Sequence, residues 1–408
     1  MMFNKETQFQ NSPIGKIPED WEVDKLETVV EIHDSKRIPL SEMERNGRKG
    51  PHPYCGANGI IDYINDYIFD GEYVLLAEDG GAYGKFENSA YVMSGKFWVN
   101  NHAHILRAIA GKTSNQFLKL VLDFLDLNPY IVGSTRKKLN QKQMREIKIP
   151  LPPVKEQCAV VGVLGVVDSA IGLVDEVIAK TERLKKGLMQ TLLTRGIGHK
   201  EYKDTPIGKI PKDWNVARIN QISEVHRGAS PRPIGDSKYF SETGRGWIRI
   251  SDVTNAYKYL SKTSQYLSEL GESKSVKVNQ RDLVMSICAT IGKPVIIDMK
   301  ACIHDGFVVF RNLSKDVDTE FLFYLLQKNE LRFRNMKQTG TQGNLNTTLV
   351  GETFIPVPSL SEQKQIADIL STVDEKIELE RKEKTRLEKV KRGLMDLLLT
   401  GKVRVKVD

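Results

Sequence analysis

At 408 residues the chain is long enough for two or three domains with ordinary cores, and 40% hydrophobic with 27% charged residues is the composition of a soluble globular protein. A surplus of 60 Lys and Arg over 52 Asp and Glu, net +8, permits a polyanionic partner without requiring one. The longest unbroken apolar run, Cys158–Val167, is far below the roughly 18 residues of a membrane span, and the polar stretch Met1–Gln10 excludes a signal-peptide core. The scattered cysteines Cys55, Cys158, Cys288 and Cys302 form no C-x-x-C pair, which suits a reducing cytoplasm better than a disulfide framework or a zinc site.

Read in chain order, the sequence is written twice. Pro13–Val23 (PIGKIPEDWEV) returns as Pro206–Val216 (PIGKIPKDWNV), an offset of 193. Pro150–Thr194 begins PLPPVKEQ and ends KKGLMQTLLT; it returns as Pro356–Thr400, beginning PVPSLSEQ and ending KRGLMDLLLT, an offset of 206. The halves are one duplicated module with about 13 extra residues in the second copy. Between the anchors each half has a strand-like run followed by a Gly-Lys turn, Tyr73–Ala77 with Gly84-Lys85 and Leu283–Cys288 with Gly292-Lys293. A later apolar strand follows (Ala103–Ile109, Gly306–Phe310), then a helix-like stretch (Ser114–Leu127, Thr319–Leu331), then a polar loop ending Leu-Asn (Gly133–Asn140, Gly340–Asn346).

The second anchor of each half predicts a helix of about 40 residues, roughly 60 Å long. Ser359 and Glu362 form a capping-box pattern at one start, and Pro153 takes the place of Ser359 at the other. Apolar residues recur at coiled-coil spacing: Val160, Leu164, Val167, Ile171, Val174, Ile178 and Leu188 in the first helix, and Ile366, Leu370, Val373, Ile377, Leu387 and Leu394 in the second. Glu380, Lys384 and Lys391 interrupt the second seam, so pairing there is imperfect or faces another partner. Gly196 and Gly401 stand where a left-handed residue closes a helix. Close helix-helix approach would explain Gly162, Gly165 and Gly172; Gly187 and Gly393 have no evident reason. Two amphipathic helices packed on globular domains are the plainer alternative.

Catalytic motifs fail on spacing. Gly80–Phe86 and Ala289–Val295 lack the phosphate-loop pattern and carry Phe or Pro after the lysine. Asn128-Pro-Tyr130 lacks the second proline of an adenine methyltransferase motif. His102 and His104 share a strand face but have no third ligand nearby, and Cys302, His304 and Asp305 complete no nucleophilic set. No catalytic or metal site is expected.

Taken together, the paired P-[LV]-P-x-x-x-E-Q openings, the L-M-x-x-L-L-T helix ends and the P-x-G-x-I-P-x-x-W segments resemble the specificity subunit of type I restriction–modification systems, over essentially the whole chain. Pro53–Ile60, Gly133–Asn140 and Gly246–Val253 also look like phrases of its target recognition domains. The resemblance implies an α+β fold: two similar α/β recognition domains, 1–150 and 201–355, separated by two long antiparallel coiled-coil helices, 151–200 and 356–408, with pseudo-twofold symmetry. It implies that each domain reads half of a bipartite site in double-stranded DNA while the helices set the spacer. It implies two modification subunits, restriction (motor–nuclease) subunits, no membrane, and no cofactor in this chain; S-adenosylmethionine, ATP and Mg are expected on the partners.

DNA reading needs cations for phosphates and paired donors or acceptors for base edges. The first loop offers Ser134, Thr135, Arg136, Lys137 and Lys138; the second offers the neutral set Gln338, Thr341, Gln342 and Asn344. The second thus departs from the basic cluster of the first, which leaves open whether the two loops meet DNA alike. Further candidates are Arg227, Ser230 and Arg232 in a proline-stiffened loop, Arg245, and the turn residues Tyr83, Lys85, Thr290 and Lys293. A solvated turn is the bland alternative at each.

Overall fold

The computed structural model describes residues 3–4, 8–133, 137–336 and 345–405, and within them each predicted central strand lies inside a sheet. The chain divides into two compact units, Met1–Glu176 with Arg381–Asp408 and Val177–Glu380, so the boundary falls inside both long helices.

In the first unit Phe69–Ala77 pairs antiparallel with Ala90–Val99 on one side and Ala103–Ala108 on the other, with Val30–Ile32 beyond the latter. Lys49–Gly56 joins the far edge of Ala90–Val99 in parallel and turns back as Gly59–Ile64, which makes six strands. Helix Asn115–Phe124, capped by Ser114 accepting from Phe117 N, lays Phe117 and Val121 on the sheet residues Val74, Leu76 and Leu106. Val160 and Leu164 of the first long helix and Met395 and Leu398 of the second complete this core. A short ladder of Glu22–Lys25 with Lys148–Leu151 closes the base.

The second unit repeats the frame. Glu224–Arg227, Phe307–Arg311, Leu283–Ser286 and Pro294–Ile297 are antiparallel in that order, and Tyr259–Leu260 adds a parallel edge. Helix Thr319–Lys328, capped by Asp318, packs Phe321 and Leu325 with Leu283, Met285 and Phe310, and Ile366, Leu370, Leu192 and Leu193 of the long helices join them. The base ladder is Asn215–Arg218 with Phe354–Val357. The surplus residues of this copy help to build a second five-stranded sheet around Arg245–Ile248 and Ala301–Ile303, which the first copy lacks among its described residues.

The long helices run over Val154–Arg195 and Leu360–Leu398, 42 and 39 residues. Gly196 and Gly401 follow them at φ +65° and +67°, where a side chain would also strike a neighbour, Glu362 and Trp214 in one copy and Pro18 in the other. Gly162, Gly165 and Gly172 correct the expectation of close approach, because no atom lies within 4 Å of the Cβ each lacks; the same holds at Gly187 and Gly393. The first helix also contains an 18-residue stretch of mean hydropathy 1.9, enough by length and composition for a membrane span although only 17% of it is buried. Reading unbroken apolar runs missed this, because Asp168 ends the run. In the first unit Val160 and Leu164 of this helix pack in the core and Asp168 pairs with Lys391, while Val166 and Leu173 are exposed.

Candidate nucleic-acid interface

Each unit is locked at its base by the residues that mark the repeat. In the first, Trp21 Nε1 donates to Glu156 Oε2 (3.2 Å), and Arg404, beyond the second long helix, grips both Glu156 oxygens at 2.6 Å. In the second, Trp214 Nε1 donates to Glu362 Oε2 (2.9 Å), and His199, beyond the first long helix, meets Glu362 Oε1 at 2.8 Å. Gln157 donates to Pro152 O and Lys112 O, and Gln363 to Pro358 O and Asp316 O, tying each helix start to the connection before helix 115–124 or 319–328. The E-Q pair of the opening motif is therefore a clamp joining three distant chain segments. It also corrects the capping box: Glu362 N is capped by Ser359 Oγ (3.3 Å), but the Glu362 carboxylate turns to Trp214 and His199.

The seam is polar where charge was expected to interrupt it. Lys391 meets Asp168 and Lys384 meets Asp175, each at 2.6 Å; rising by seven residues in one helix lowers the partner by seven in the other, so the helices are antiparallel within the first unit. Lys185 and Asp374 meet at 2.7 Å in the second unit. Those two residues are the 206-offset copies of Lys391 and Asp168, so one contact occurs twice. Val167, Ile171, Val174, Ile178, Val373 and Leu387 are half-buried between such pairs, whereas Val160, Leu164, Ile366, Leu370 and Ile377 are fully buried.

Above this base, the polar loop of the first unit springs from a two-bond pairing of Val132 with Lys138, both at 2.9 Å. Lys137 is exposed, and Lys138 places Nζ 2.8 Å from Glu78 Oε1. Ser134, Thr135 and Arg136 lie outside the described residues, as do Gln338, Thr341, Gln342 and Asn344 of the second loop. Leu139 and Leu345, which end the two loops, are core residues, and Asn346 caps the next helix by accepting from Leu349 N (2.8 Å).

In the second unit Asp305, weighed from sequence only as part of a nucleophilic set, gathers three of the predicted DNA-binding residues. It accepts from Ser230 Oγ (2.5 Å) and Arg232 (3.0 Å), and its carbonyl accepts from Arg227 Nε (2.8 Å). The Ser230 hydroxyl first of all, then the charges of Arg232 and His304, hold the Asp305 carboxyl below the usual range against its partial burial. Arg232 leaves most of its side chain in solvent; Arg245 is bound to the carbonyls of Val278 and Ala301. Thr290 meets Thr254 Oγ1 (3.3 Å), and Lys293 donates to Thr254 O (2.7 Å).

Gly84-Lys85 and Gly292-Lys293 lie in corresponding turns, between Phe69–Ala77 and Ala90–Val99 and between Leu283–Ser286 and Pro294–Ile297, but not at the same station within them. Lys293 directly precedes its strand, whereas Ser89 does so in the first unit, because Ser286 N bonds Lys293 O and Ala77 N bonds Ser89 O. Lys85 instead reaches Asp396 (2.9 Å) near the end of the second long helix, over the rings of Phe86 and Phe124, and Tyr83 is buried with its hydroxyl donating to Ala77 O. His102 and His104 point to different carboxylates, Asp79 (2.7 Å) and Asp34 (2.6 Å).

The fold is that of solved specificity subunits. A crystal structure of the type I restriction–modification S subunit from M. genitalium superposes with TM-score 0.60 over 95% of this chain and 97% of that one, at 12% identity. A second solved chain, from work on assembly and conformational transition of the type I R-M system, gives 0.55 at 17% identity over 95% of this chain and 99% of that one. The chain matches the type I restriction modification DNA specificity domain over residues 18–183 and 211–389, and belongs to that family. It is 30% identical to the MjaVIII type I specificity subunit of Methanocaldococcus jannaschii, over all of this chain and 98% of the relative, and 20% identical to the EcoDI specificity subunit of Escherichia coli over 86% and 81%.

Proposed function

We propose that this chain is the DNA sequence-specificity subunit of a type I restriction–modification enzyme, acting in the cytoplasm. One recognition domain (1–150) reads one half of a bipartite duplex site and the other (201–355) reads the second half. The helical segments 151–200 and 356–408 set the unread spacer and offer docking faces to two modification subunits, with restriction subunits joining them. The chain catalyses nothing itself; S-adenosylmethionine, ATP and Mg belong to the partners. Lys137, Arg232 and their neighbours meet the DNA.

The carrying observation is a repeated frame with unlike fillings. The same Trp-Glu-Gln clamp recurs at Trp21, Glu156, Gln157 and at Trp214, Glu362, Gln363, while the residues above it differ. Two copies of one fold with different loops suit two different half-sites. Mapping methylated adenines in a genome carrying the assembled system should give a bipartite motif, and replacing residues 25–149 with another recognition domain should change one half of it only. Inserting one turn in a long helix should lengthen the spacer and leave both halves unchanged. Gel shifts of the assembled complex that show no sequence preference would overturn the reading.

A further inference from the structure

The first unit buries a histidine at a station where the second has an aliphatic side chain. The ring of His104 is 0% exposed and lies between two acceptors, with Nδ1 2.6 Å from Asp34 Oδ2 and Nε2 2.7 Å from Leu139 O. A backbone carbonyl only accepts. Asp34 also accepts on both oxygens, from Ile105 N at Oδ1 (2.9 Å) and from Gln141 Nε2 at Oδ2 (3.0 Å). Burial pushes the Asp34 carboxyl up, but His104, the Ile105 N–H and Arg37 together hold it below the usual range. With Asp34 as carboxylate, a donor at each ring nitrogen satisfies both acceptors at once, and only an imidazolium supplies two.

The cation is enclosed by charges that are themselves paired. Glu78 lies 3.8 Å from Nδ1 and binds Arg37 and Lys138; Arg37 stands 3.7 Å from Asp34; Asp79, next in the chain to Glu78, holds His102. What the ring holds is the foot of the polar loop. Leu139 donates its N–H to Glu78 O (2.8 Å) and gives its carbonyl to His104, directly after Lys138 and Val132 pair to close the loop.

The strand register identifies the counterparts. His104 stands opposite Leu76 and Val308 opposite Met285; two residues further, Glu78 O and Ile287 O accept from Leu139 N and Leu345 N. Val308 thus replaces His104, and Arg227, at the 193 offset and facing Val308 across the ladder, replaces Asp34.

We propose that His104, as an imidazolium, is the positioning residue at the foot of the first recognition loop: it clamps the Leu139 carbonyl and so fixes where Lys137 meets the first half-site. This rests on the reading that the loop meets DNA, and the test separates the two. In the full chain labelled with 15N-histidine at neutral pH, both ring nitrogens of His104 should resonate as protonated. In the complex with modification subunits, His104→Gln donates from one nitrogen only and puts an acceptor oxygen in place of the other, and should cut discrimination against single-base changes in the first half-site about tenfold while leaving the second half-site unchanged. Lys137→Ala should lower affinity several-fold and flatten its salt dependence. If Lys137→Ala acts so while the ring is neutral, or while His104→Gln shifts both half-sites alike or neither, the positioning role is overturned and the loop's part stands. If Lys137→Ala changes neither affinity nor salt slope, the loop does not meet DNA and the inference falls with it. Should the glutamine variant fold poorly, the ring signals of the unmodified chain still decide.

Discussion

Behind the first recognition loop the interior is ionic: Asp34, Arg37, Glu78, His104 and Lys138 form one network. At the matching stations of the second unit stand Arg227, Ile287 and Val308, and the latter two are buried among apolar side chains. The backbone frame is the same, so the ladder does not dictate what fills it. Two copies of a fold held by backbone pairing and a common clamp are free to support their loops by different chemistry, and differences of this kind let one architecture serve two sequences.

The clamp itself offers the largest test of that comparison. Glu156 is bound by the Arg404 guanidinium on both oxygens as well as by Trp21, whereas Glu362 meets Trp214, Ile197 N and the His199 ring but no arginine. Glu156→Gln should therefore destabilise the first unit by about 3 kcal/mol and Glu362→Gln the second by about 1 to 2 kcal/mol, read by hydrogen exchange resolved over each unit. The reverse ranking would show that the shared tryptophan, not the cation, dominates.

The duplicated seam pair comes next. Lys185 and Asp374 are 10% and 5% exposed, but their copies Lys391 and Asp168 are 17% and 41% exposed. Asp374→Asn leaves a buried cation and strips an acceptor from one of Tyr324 and Tyr257, so about 3 kcal/mol should be lost, against less than about 1 kcal/mol for Asp168→Asn. Equal losses in urea unfolding would mean that burial does not separate the two copies.

Acid should also divide the units. Burial first, with Arg249 adding and Asp305 opposing, pushes His304 down to about 4 from an ordinary value of 6.5. Between these values the unfolded chain binds the extra proton, so stability falls as pH drops, by on the order of 2 kcal/mol by pH 5 and about 3 kcal/mol by pH 4. In the first unit Asp34 and Glu78 are held below their ordinary 3.8 and 4.5, Glu78 by Lys138 and Arg37 against its burial. Their contribution is present above those ordinary values and fades only as pH falls through the lower folded ones. Hydrogen exchange at pH 5 should thus find the second unit weakened and the first intact, and His304→Phe should remove the difference. The smallest effect is expected in the helices, where Gly162→Ala or Gly393→Ala meets open space and should raise stability by about 1 kcal/mol. A variant that is stabilised yet assembles poorly with modification subunits would mark that glycine as part of the docking face.

Much of this was legible before any coordinates. Offsets of 193 and 206 establish the duplication, apolar spacing marks two helices near 40 residues, and glycine marks their ends, because such patterns are local and repeat along the chain. The same offsets already matched Asp168 with Asp374 and Lys185 with Lys391, though not that each Lys would meet the Asp of the opposite helix. Left to the tertiary structure were the partner of the E-Q motif, the side to which Lys85 turns, the second sheet of the second unit, and the acceptors around His104. Those depend on which segments meet across 35 to 311 residues of chain, as His104 meets Leu139 and Lys85 meets Asp396. Local periodicity specifies an element and its buried face; the identity of a side chain's partner is set only when distant elements pack together.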